Sequence, residues 1–417
     1  MSALVAESVV EALSGAVNPD RLVQTATELV SIPSATGNEQ ACAEYMAEQL
    51  AGVGMTVTQQ QVESGRLNVI GTLRGSKGAH SLMLAGHLDT SYSGNEPWAN
   101  KPGFRPSATL RDGRIYGLGI SNMKGALAAY LEAMHALHDA GVTLRGDILV
   151  AGVCGENEKA QWGDYQGAEY RGYGIGSRAL PIYGVLPDWC ILGEATERKL
   201  VLGHFGSMWT RLSVSGPFVH TAWSSPTAED NSIVRMHQIM PVVREWIDDW
   251  TGRATEGTTR SVVNISAIRG GYPWRLSRTP ARTDLFLDIR VPPSLPMQSA
   301  RTCVNELVDN LRRRFPEHGV ESEIYLAAPG TLLDPSNPVV EAVDAAHQSV
   351  FGDKAKREVV RWFCDASAYA ASGIATIIYG ASSGLPGSEG ESLEVAELTS
   401  FAKAYLLAAA SLCEVEA

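Results

Sequence analysis

Two patterns of apolar residues divide the chain. In the first part, residues 81–85 and 147–153 are almost continuously apolar, which predicts parallel strands buried on both faces. Residues 125–140 have helical spacing, and residues 17–54 predict two helices joined by a turn that contains Pro and Gly. Because strands and helices alternate, we expect an α/β layer domain with a mostly parallel sheet. Its functional residues should lie at the carboxyl ends of the strands.

After Phe205 the strands alternate apolar and polar residues, and the predicted order becomes strand, helix, strand, strand, helix, strand. This order indicates a small ferredoxin-like α+β unit. From residue 338 the α/β pattern returns, with the apolar strings RWFC and ATIIYG between helices. The sequence therefore predicts a catalytic domain in two parts, interrupted by an inserted lid or dimerisation domain. The boundaries are 1–206 and 328–417 for the catalytic domain and 207–327 for the insertion.

Composition narrows the range of partners. A net charge of −12 over 417 residues argues against nucleic acid or an anionic membrane surface. No apolar run reaches the roughly 18 residues that span a bilayer, and the N-terminal stretch lacks the basic region of a signal peptide. The six cysteines are scattered without a CxxC pair, as in a reducing compartment. We expect a cytoplasmic protein that acts on a small molecule, with no membrane and no nucleic-acid partner.

Polar residues follow three of the predicted strands. The string AGHLDT places His87 and Asp89 after one strand, CGENEK places Glu156 and Asn157 after another, and ILGEAT places Glu194 after a third. His, Asp and Glu side chains that converge from strand ends predict a metal site or an acid–base site. Each motif alone has an ordinary alternative, because an HxD pair can be structural and GEN can form a turn.

The string YGLGISNMKGALAAY predicts a Gly-rich turn that runs into a helix, with Asn122 at its apex. A neutral amide is a poorer metal ligand than a carboxylate and cannot act as a base. The alternative is that Asn122 only satisfies hydrogen bonds of the turn, as Asn often does. That alternative is compatible with a pocket that holds no metal.

Taken together, the motifs resemble one family over nearly the whole chain and in the same order. They are LVSIPSATGNE, GHLDT, GLGISNMKGALAA, GENE, LGEAT, VSGPFVHTAWSSP, FLDIRVPP and GIATIIYG. They are similar to the dizinc amidohydrolases that include aminoacylase, acetylornithine deacetylase, succinyl-diaminopimelate desuccinylase and carboxypeptidase G. The fold that this resemblance implies agrees with the α/β domain and inserted unit predicted above.

The resemblance implies two zinc ions, but their ligands are only partly present. One ion would use His87, Asn122 and Glu194. The other would use Asn122, Asn157 and a histidine expected in GLPGSEGES, which contains none. Two divalent cations about 3.5 Å apart repel by roughly 19 kcal/mol at an effective dielectric of about 20, and a neutral amide does not offset that repulsion. We therefore expect no dinuclear site. His87 and Glu194, with Glu158 or Asp89, would hold at most one divalent ion, with zinc the expected metal, or none.

The resemblance also assigns roles in proton transfer. Glu156 matches the general base that activates water, and Asp89 matches the carboxylate that orients His87. His220 matches a lid histidine that reaches the partner subunit's active site and stabilises an oxyanion, which implies a homodimer. An apolar stripe on the helix predicted at 231–250 favours the same assembly. The alternatives are a surface Glu156 and a His220 that merely ends a strand.

Further residues are candidates for binding substrate. Arg290 matches a family arginine that binds a substrate carboxylate, although it could instead form a structural ion pair. Ser277 stands where the family has a lid asparagine. Trp162 lies in a long aromatic stretch after Glu156, and long loops beside a site are usually functional. With Asn122 and Asn157, these residues form the predicted substrate-binding set.

Three functions remain open from the sequence. The first is an amidohydrolase that acts on an N-acyl amino-acid-like molecule with one metal ion or none. The second is a metal-independent biosynthetic enzyme that forms, rearranges or transfers an acyl group, with Glu156 as acid and base. The third is a non-catalytic binding protein. The presence of Glu156, His87, Asp89 and His220 together argues against the third, because binding alone does not require those groups.

Overall fold

The structure is a computed structural model that describes residues 6–76, 78–157, 172–383 and 389–416. It divides into two compact units. The interrupted unit comprises Met1–Leu202, Leu333–Glu358 and Cys364–Ala417. The inserted unit comprises Gly203–Leu332 and Val359–Phe363.

In chain order, the helices of the described residues are α1 (Glu7–Ala16), α2 (Pro19–Ser31), α3 (Gln40–Gly52), α4 (Gly125–Asp139), α5 (Ile175–Ile182), α6 (Ser232–Arg253), α7 (Met297–Arg314), α8 (Pro338–Phe351), α9 (Ala366–Ala370) and α10 (Val395–Leu412). The first nine strands are β1 (Thr56–Glu63), β2 (Arg66–Leu73), β3 (Leu82–His87), β4 (Thr109–Arg111), β5 (Arg114–Tyr116), β6 (Ile148–Val153), β7 (Trp189–Leu192), β8 (Leu200–His204) and β9 (Gly206–Ser215). The others are β10 (Thr255–Glu256), β11 (Thr259–Arg260), β12 (Val263–Gly270), β13 (Arg282–Val291), β14 (Glu321–Ala328), β15 (Thr331–Leu332), β16 (Arg357–Val360), β17 (Ala375–Ile378) and β18 (Ser392–Glu394).

The main sheet has nine strands in the order β1-β2-β6-β3-β7-β17-β8-β15, with β16 also paired to β8. Its centre is parallel, since β6, β3, β7 and β17 pair in parallel, whereas β1, β2 and β8 pair antiparallel at the flanks. Every residue of β3 is buried, in agreement with its continuous apolar run. The parallel centre brings the carboxyl ends of β6, β3 and β7 side by side, which is where the polar motifs begin.

Helix α4 packs closely against these strand ends. The Tyr130 hydroxyl donates a hydrogen bond to the backbone oxygen of Ala85 in β3, at 3.1 Å. At Gly193, just after β7, an added Cβ would lie 2.4 Å from that hydroxyl oxygen. Only glycine leaves room for this approach, so Gly193 allows α4 to lie against the site.

The inserted unit is a four-stranded antiparallel sheet in the order β12-β13-β9-β14, with α6 and α7 packed on it. Its element order matches the ferredoxin-like order predicted from the sequence. Alternate residues of β13 are buried, and Met236, Ile239 and Val243 of α6 join the same core. The apolar stripe that the sequence suggested for a dimer contact therefore serves mainly the unit's own core. Edge strand β12 is instead exposed along most of its length.

Some elements differ from the sequence prediction. The string RWFC is not a strand, because β16 lies just before it at Arg357–Val360. Helix α1 and the three-stranded sheet β18-β5-β4 were not predicted. Within the described residues α10 is the one helix long and apolar enough to cross a membrane by length and composition, and 67% of it is buried as a core helix.

Candidate active site

His87 is the last residue of β3 and is fully buried. Its Nδ1 lies 2.8 Å from the backbone oxygen of Asp89, and its Nε2 lies 2.8 Å from Oδ1 of Asn122. A carbonyl oxygen only accepts hydrogen bonds, so Nδ1 donates. If Nε2 also donates, the ring is an imidazolium. If the Asn122 amide is turned, its nitrogen donates to a neutral ring. The orientation of the Asn122 amide is therefore linked to the charge of His87.

Three carboxylates surround the His87 ring. Asp89 Oδ1 lies 3.5 Å from Nδ1, and oxygens of Glu194 and Glu156 lie 3.6 Å and 3.8 Å from Nε2. Burial disfavours the charged ring, but these carboxylates outweigh burial and raise the pKa of His87. Burial also raises the pKa of Glu156 and the pKa of Glu194, and the His87 charge opposes both shifts. The location of each proton in this cluster therefore depends on the charge of its neighbours.

Asp89 organises the two strand ends around it. Its carboxylate accepts hydrogen bonds from the Thr36 hydroxyl at 2.8 Å, from the backbone N–H groups of Glu156 and Asn157, and from Asn157 Nδ2 at 2.9 Å. Burial would raise the pKa of Asp89, but His87 and these donors prevail and hold it well below its usual range. The backbone oxygen of Asp89, rather than its carboxylate, makes the shorter contact with His87.

The residues around His87 fit one divalent cation. His87 Nε2 and one oxygen each from Glu156 and Glu194 lie within 4.8 Å of one another. Glu194 Oε1 is buried and has no hydrogen-bond partner within the described ranges. One nitrogen and two carboxylate oxygens are a ligand set that zinc accepts. In the part of the chain that the structure describes, no second group of three or more His, Cys, Asp or Glu residues is close enough together to hold a metal ion.

Asn157 offers little to a second cation. Its Nδ2 donates to Asp89, and its Oδ1 accepts a hydrogen bond of 2.6 Å from the Ser91 hydroxyl. Both ends of the amide are therefore engaged in holding the strand ends together.

A carboxylate that the sequence reasoning did not single out holds the Asn122 turn. Glu391 is buried, and its Oε2 accepts hydrogen bonds from the backbone N–H groups of Gly119, Ser121 and Asn122 and from the Ser121 hydroxyl. Glu391 belongs to GLPGSEGES, where the resemblance implied a histidine. Residues 384–388 of that string lie outside the described residues. The only sequence signal was an acidic residue within this Gly-rich string.

Asp365 is a second residue that the sequence reasoning missed. It is buried, its Oδ1 accepts a hydrogen bond of 2.6 Å from the Ser177 hydroxyl, and its Oδ2 has no partner among the described residues. Burial, with a contribution from Glu194, raises the pKa of Asp365 to about 7 against the opposing influence of Ser177 and His87. The only sequence signal was an acidic residue directly after RWFC.

The other predicted residues belong to the inserted unit or lie outside the described residues. His220, Ser277 and Arg290 belong to the inserted unit. His220 Nδ1 accepts a hydrogen bond from the Ala222 N–H, Ser277 is exposed, and Arg290 forms an ion pair of 2.8 Å with Asp288. Trp162 and Glu158 fall in 158–171, outside the described residues. The structure thus brings together His87, Asp89, Asn122, Glu156, Asn157 and Glu194.

Acidic side chains and a histidine at the carboxyl ends of parallel strands, in a unit interrupted by an α+β unit, are an arrangement suited to hydrolytic chemistry. Comparison with known families agrees, because residues 83–411 match the pattern of peptidase family M20/M25/M40. The chain belongs to this family.

Two curated relatives illustrate the similarity. A succinyl-diaminopimelate desuccinylase of Gluconacetobacter diazotrophicus is 29% identical over 288 residues, which cover 67% of this chain and 70% of that protein. An acetylornithine deacetylase of Shigella sonnei is 27% identical over 350 residues, covering 81% and 84%.

Solved structures share the fold at lower identity. A dipeptidase of Saccharomyces cerevisiae has a TM-score of 0.75 at 12% identity, covering 98% of this chain and 99% of that one. An aminopeptidase of Bacillus cereus has a TM-score of 0.73 at 19% identity, covering 96% and 100%. The chain is thus an enzyme of the amidohydrolase and deacylase type, from a family whose members are typically zinc-dependent.

Proposed function

We propose that this enzyme hydrolyses the amide bond of a small N-acyl amino-acid-like molecule at a site that holds at most one divalent ion. The observation that carries this proposal is that Asn122 and Asn157 hydrogen-bond to protein groups of the site. Asn122 Oδ1 contacts His87 at 2.8 Å, and the Asn157 amide is engaged by Asp89 and Ser91. Neither supplies the negative charge that two adjacent cations need.

His87, Glu194 and Glu156 are the residues that would hold the ion. When bound, a divalent metal supplies Lewis acidity that polarises the scissile carbonyl group and a water molecule. Because Glu156 is also the candidate base, its place in the ligand set and its proton chemistry compete with each other.

Proton transfer falls to Glu156. Its carboxyl is buried just after β6, and burial raises its pKa well above its usual range, so it can both take and hold a proton. In this proposal Glu156 takes a proton from the attacking water and gives it to the leaving nitrogen. Asp89 keeps Glu156 in place, because its carboxylate accepts the Glu156 backbone N–H at 3.0 Å.

A second candidate is a metal-independent enzyme that forms, rearranges or transfers an acyl group. The contact between His87 Nε2 and Asn122 favours it, because that ring nitrogen already has a hydrogen-bond partner. In this candidate, Glu156 still moves the proton, and His87 stays paired with Asn122.

The proposal includes a homodimer in a reducing compartment such as the cytoplasm. The exposed edge of β12 supports the homodimer, since exposed edges readily pair with another strand. All six cysteines are free thiols, which supports the reducing compartment. In such a dimer His220 would act on the partner's substrate.

Metal content and turnover test the proposal together. We expect elemental analysis after gel filtration to find no more than one equivalent of divalent metal per chain. We expect Glu156→Gln to lower the turnover of N-acyl amino acids by about 10²–10⁴-fold, because an amide keeps the shape but cannot exchange the proton. Glu197→Gln, an exposed residue outside the cluster, is the control.

The outcomes separate the candidates. Loss of hydrolysis on chelation, with recovery on adding zinc, supports the single-metal hydrolase. Full activity after exhaustive chelation, with an inactive Glu156→Gln, supports the metal-independent enzyme. Two equivalents of metal, or wild-type turnover in Glu156→Gln, contradicts both.

A further inference from the structure

We propose that Glu391 is a positioning residue that fixes Asn122 and, through Asn122, the His87 ring. This inference deepens the proposed function and rests on it for its catalytic consequence. Its structural claim can be tested without substrate.

Glu391 is hydrogen-bonded to the turn that carries Asn122. One oxygen of Glu391 collects four donors, at 3.0 Å from the Gly119 N–H and the Ser121 hydroxyl and at 3.2 Å from the Ser121 and Asn122 N–H groups. Glu391 is buried, and burial raises its pKa, while the four donors favour the charged form, to which hydrogen bonds are strongest. The carboxylate thus fixes the turn from behind.

Asn122 interrupts the helical backbone of this segment. Its backbone angles, φ −129° and ψ 89°, are not helical, although helical residues lie close by on both sides. The helix that follows therefore does not by itself determine where this residue points. The Asn122 N–H is held by Glu391, and its side-chain oxygen contacts His87 at 2.8 Å. A shift of the turn would move that oxygen directly.

The backbone that carries Glu391 is itself held by its neighbours. The Glu391 N–H donates to the backbone oxygen of Gly103 at 3.0 Å, and the next residue begins β18, which pairs with β5. An added Cβ on Gly103 would lie 2.4 Å from the Glu391 nitrogen, so the two segments are in close contact. The Glu391 backbone is thus held by Gly103 and by the pairing of β18 with β5.

Glu391 and Asn122 therefore have different roles at the turn. The Glu391 carboxyl accepts four donors on the side of the turn away from His87, and these donors oppose the rise that burial causes in its pKa. A neutral amide faces His87. Replacing the Glu391 carboxyl by an amide should loosen the turn and let the Asn122 amide move or rotate. His87 would then lose its defined partner at Nε2.

The experiment compares Glu391→Gln, Asn122→Ala and the double variant, with Glu391→Asp as a second variant in case the glutamine disturbs folding. Glu394→Gln is the matched control, because Glu394 ends the short strand β18 that begins directly after Glu391, and it is exposed. Thermal unfolding and gel filtration check that each variant is folded. Kinetics with N-acyl amino acids separate kcat from KM, and 15N-histidine spectra report on His87.

We expect Glu391→Gln to lower kcat by about 10- to 100-fold with a smaller change in KM, the range that misplacement of a catalytic group produces. The double variant should be no slower than Asn122→Ala, because residues that act through one another are not additive. The His87 signals should move in Glu391→Gln as they do in Asn122→Ala, and not in Glu394→Gln.

Additive losses in the double variant would overturn the inference, as would unchanged His87 signals in a folded Glu391→Gln. A loss of activity that only follows the fraction of unfolded protein would also overturn it. If the wild type hydrolyses no N-acyl amino acid, the proposed function fails, while the spectra still decide whether Glu391 positions His87.

Discussion

Asn122 shows how one substitution type changes the chemistry of a site. A carboxylate at this position would repel the neighbouring Glu156 and Glu194 unless cations lay between them. The amide removes that repulsion and presents an oxygen to His87 at 2.8 Å. Asn122 has the same side-chain length as an aspartate, but it adds no negative charge to the site.

Asp365 provides a test at the residue scale. Its carboxyl is one of the groups that raise the pKa of Glu156. In Asp365→Asn this repulsion is lost, so we expect the pKa of Glu156 to fall and the acid limb of the kcat/KM profile to move to lower pH. The measurement is the pH dependence of kcat/KM for the wild type and the variant.

A control for Asp365 keeps its carboxyl in place. Asp353→Asn changes an exposed carboxylate near the end of α8 and should leave the pH profile unchanged. An unshifted profile in Asp365→Asn would mean that Asp365 does not act on Glu156.

His204 gives a prediction about stability. Burial lowers the pKa of His204 from 6.5 to about 4, and its Nδ1 donates to the Phe205 backbone oxygen. Between those values the unfolded chain binds more protons, so the free energy of unfolding falls as pH decreases from about 6.5 to about 4. We expect His204→Gln to remove on the order of 2–3 kcal/mol of this acid dependence.

Denaturant unfolding at pH 7.5, 5.5 and 4.5 measures this effect. His237→Gln, at an exposed position on α6, is the control and should keep the wild-type slope. Equal slopes for His204→Gln and the wild type would show that His204 is not a source of acid sensitivity.

At the scale of elements, β12 is the feature that a partner would be expected to cover. It is the edge strand of its sheet, and Ile265 and Ile268 are 39% and 59% exposed. Because an apolar edge strand invites pairing, we expect a homodimer that Ile268→Lys weakens at least tenfold. Sedimentation at micromolar concentration measures the dissociation constant.

Leu110→Lys, at an exposed site on β4 of the interrupted unit, is the matched control and should leave association unchanged. A monomeric wild type would contradict the homodimer. A dimer unaffected by Ile268→Lys would show that another surface forms the contact.

The elements that sequence patterns predicted are those whose burial is uniform or strictly periodic. β3 and β6 are buried almost throughout, and their apolar runs were unmistakable. The three-stranded sheet of β4, β5 and β18 escaped prediction because each strand has three residues, too few to show a period. RWFC was misassigned because only its last two residues are buried and the strand ends just before it, at Val360.

The candidate site shows the same division. His87, Asp89, Glu156 and Glu194 follow predicted strands, and the parallel sheet brings them together as strand ends must. Glu391 and Asp365 could not be found in this way. Their importance comes from burial and from contacts over long sequence separations, which neither periodicity nor local spacing records.

At the scale of the whole molecule, the balance of charge at the cluster should govern metal binding. Restoring carboxylates with Asn122→Asp and Asn157→Glu adds two negative charges beside His87 and Glu194. We expect the double variant to bind more divalent metal than the wild type. Bound metal should also raise the unfolding temperature, since a ligand at 100 times its Kd stabilises by about 2.7 kcal/mol.

Calorimetric titration with zinc and elemental analysis measure this uptake. A variant with Asn122→Gln and Asn157→Gln controls for changes of side-chain packing at neutral charge. Metal content that is the same in all three proteins would show that these two positions do not limit cation binding.

The Glu391 contact spans 272 residues of sequence to reach the Gly119 N–H. Ribosomes therefore release the whole inserted unit before the chain can close the Asn122 turn. The inserted unit is nearly continuous in sequence and its residues are complete before Glu391 is made, whereas the Asn122 turn waits for the segment that precedes the last strand. Limited proteolysis of stalled nascent chains would show whether the 119–122 segment becomes protected only after residue 391 has emerged. The order of synthesis thus makes assembly of the Asn122 turn one of the last events in building this enzyme.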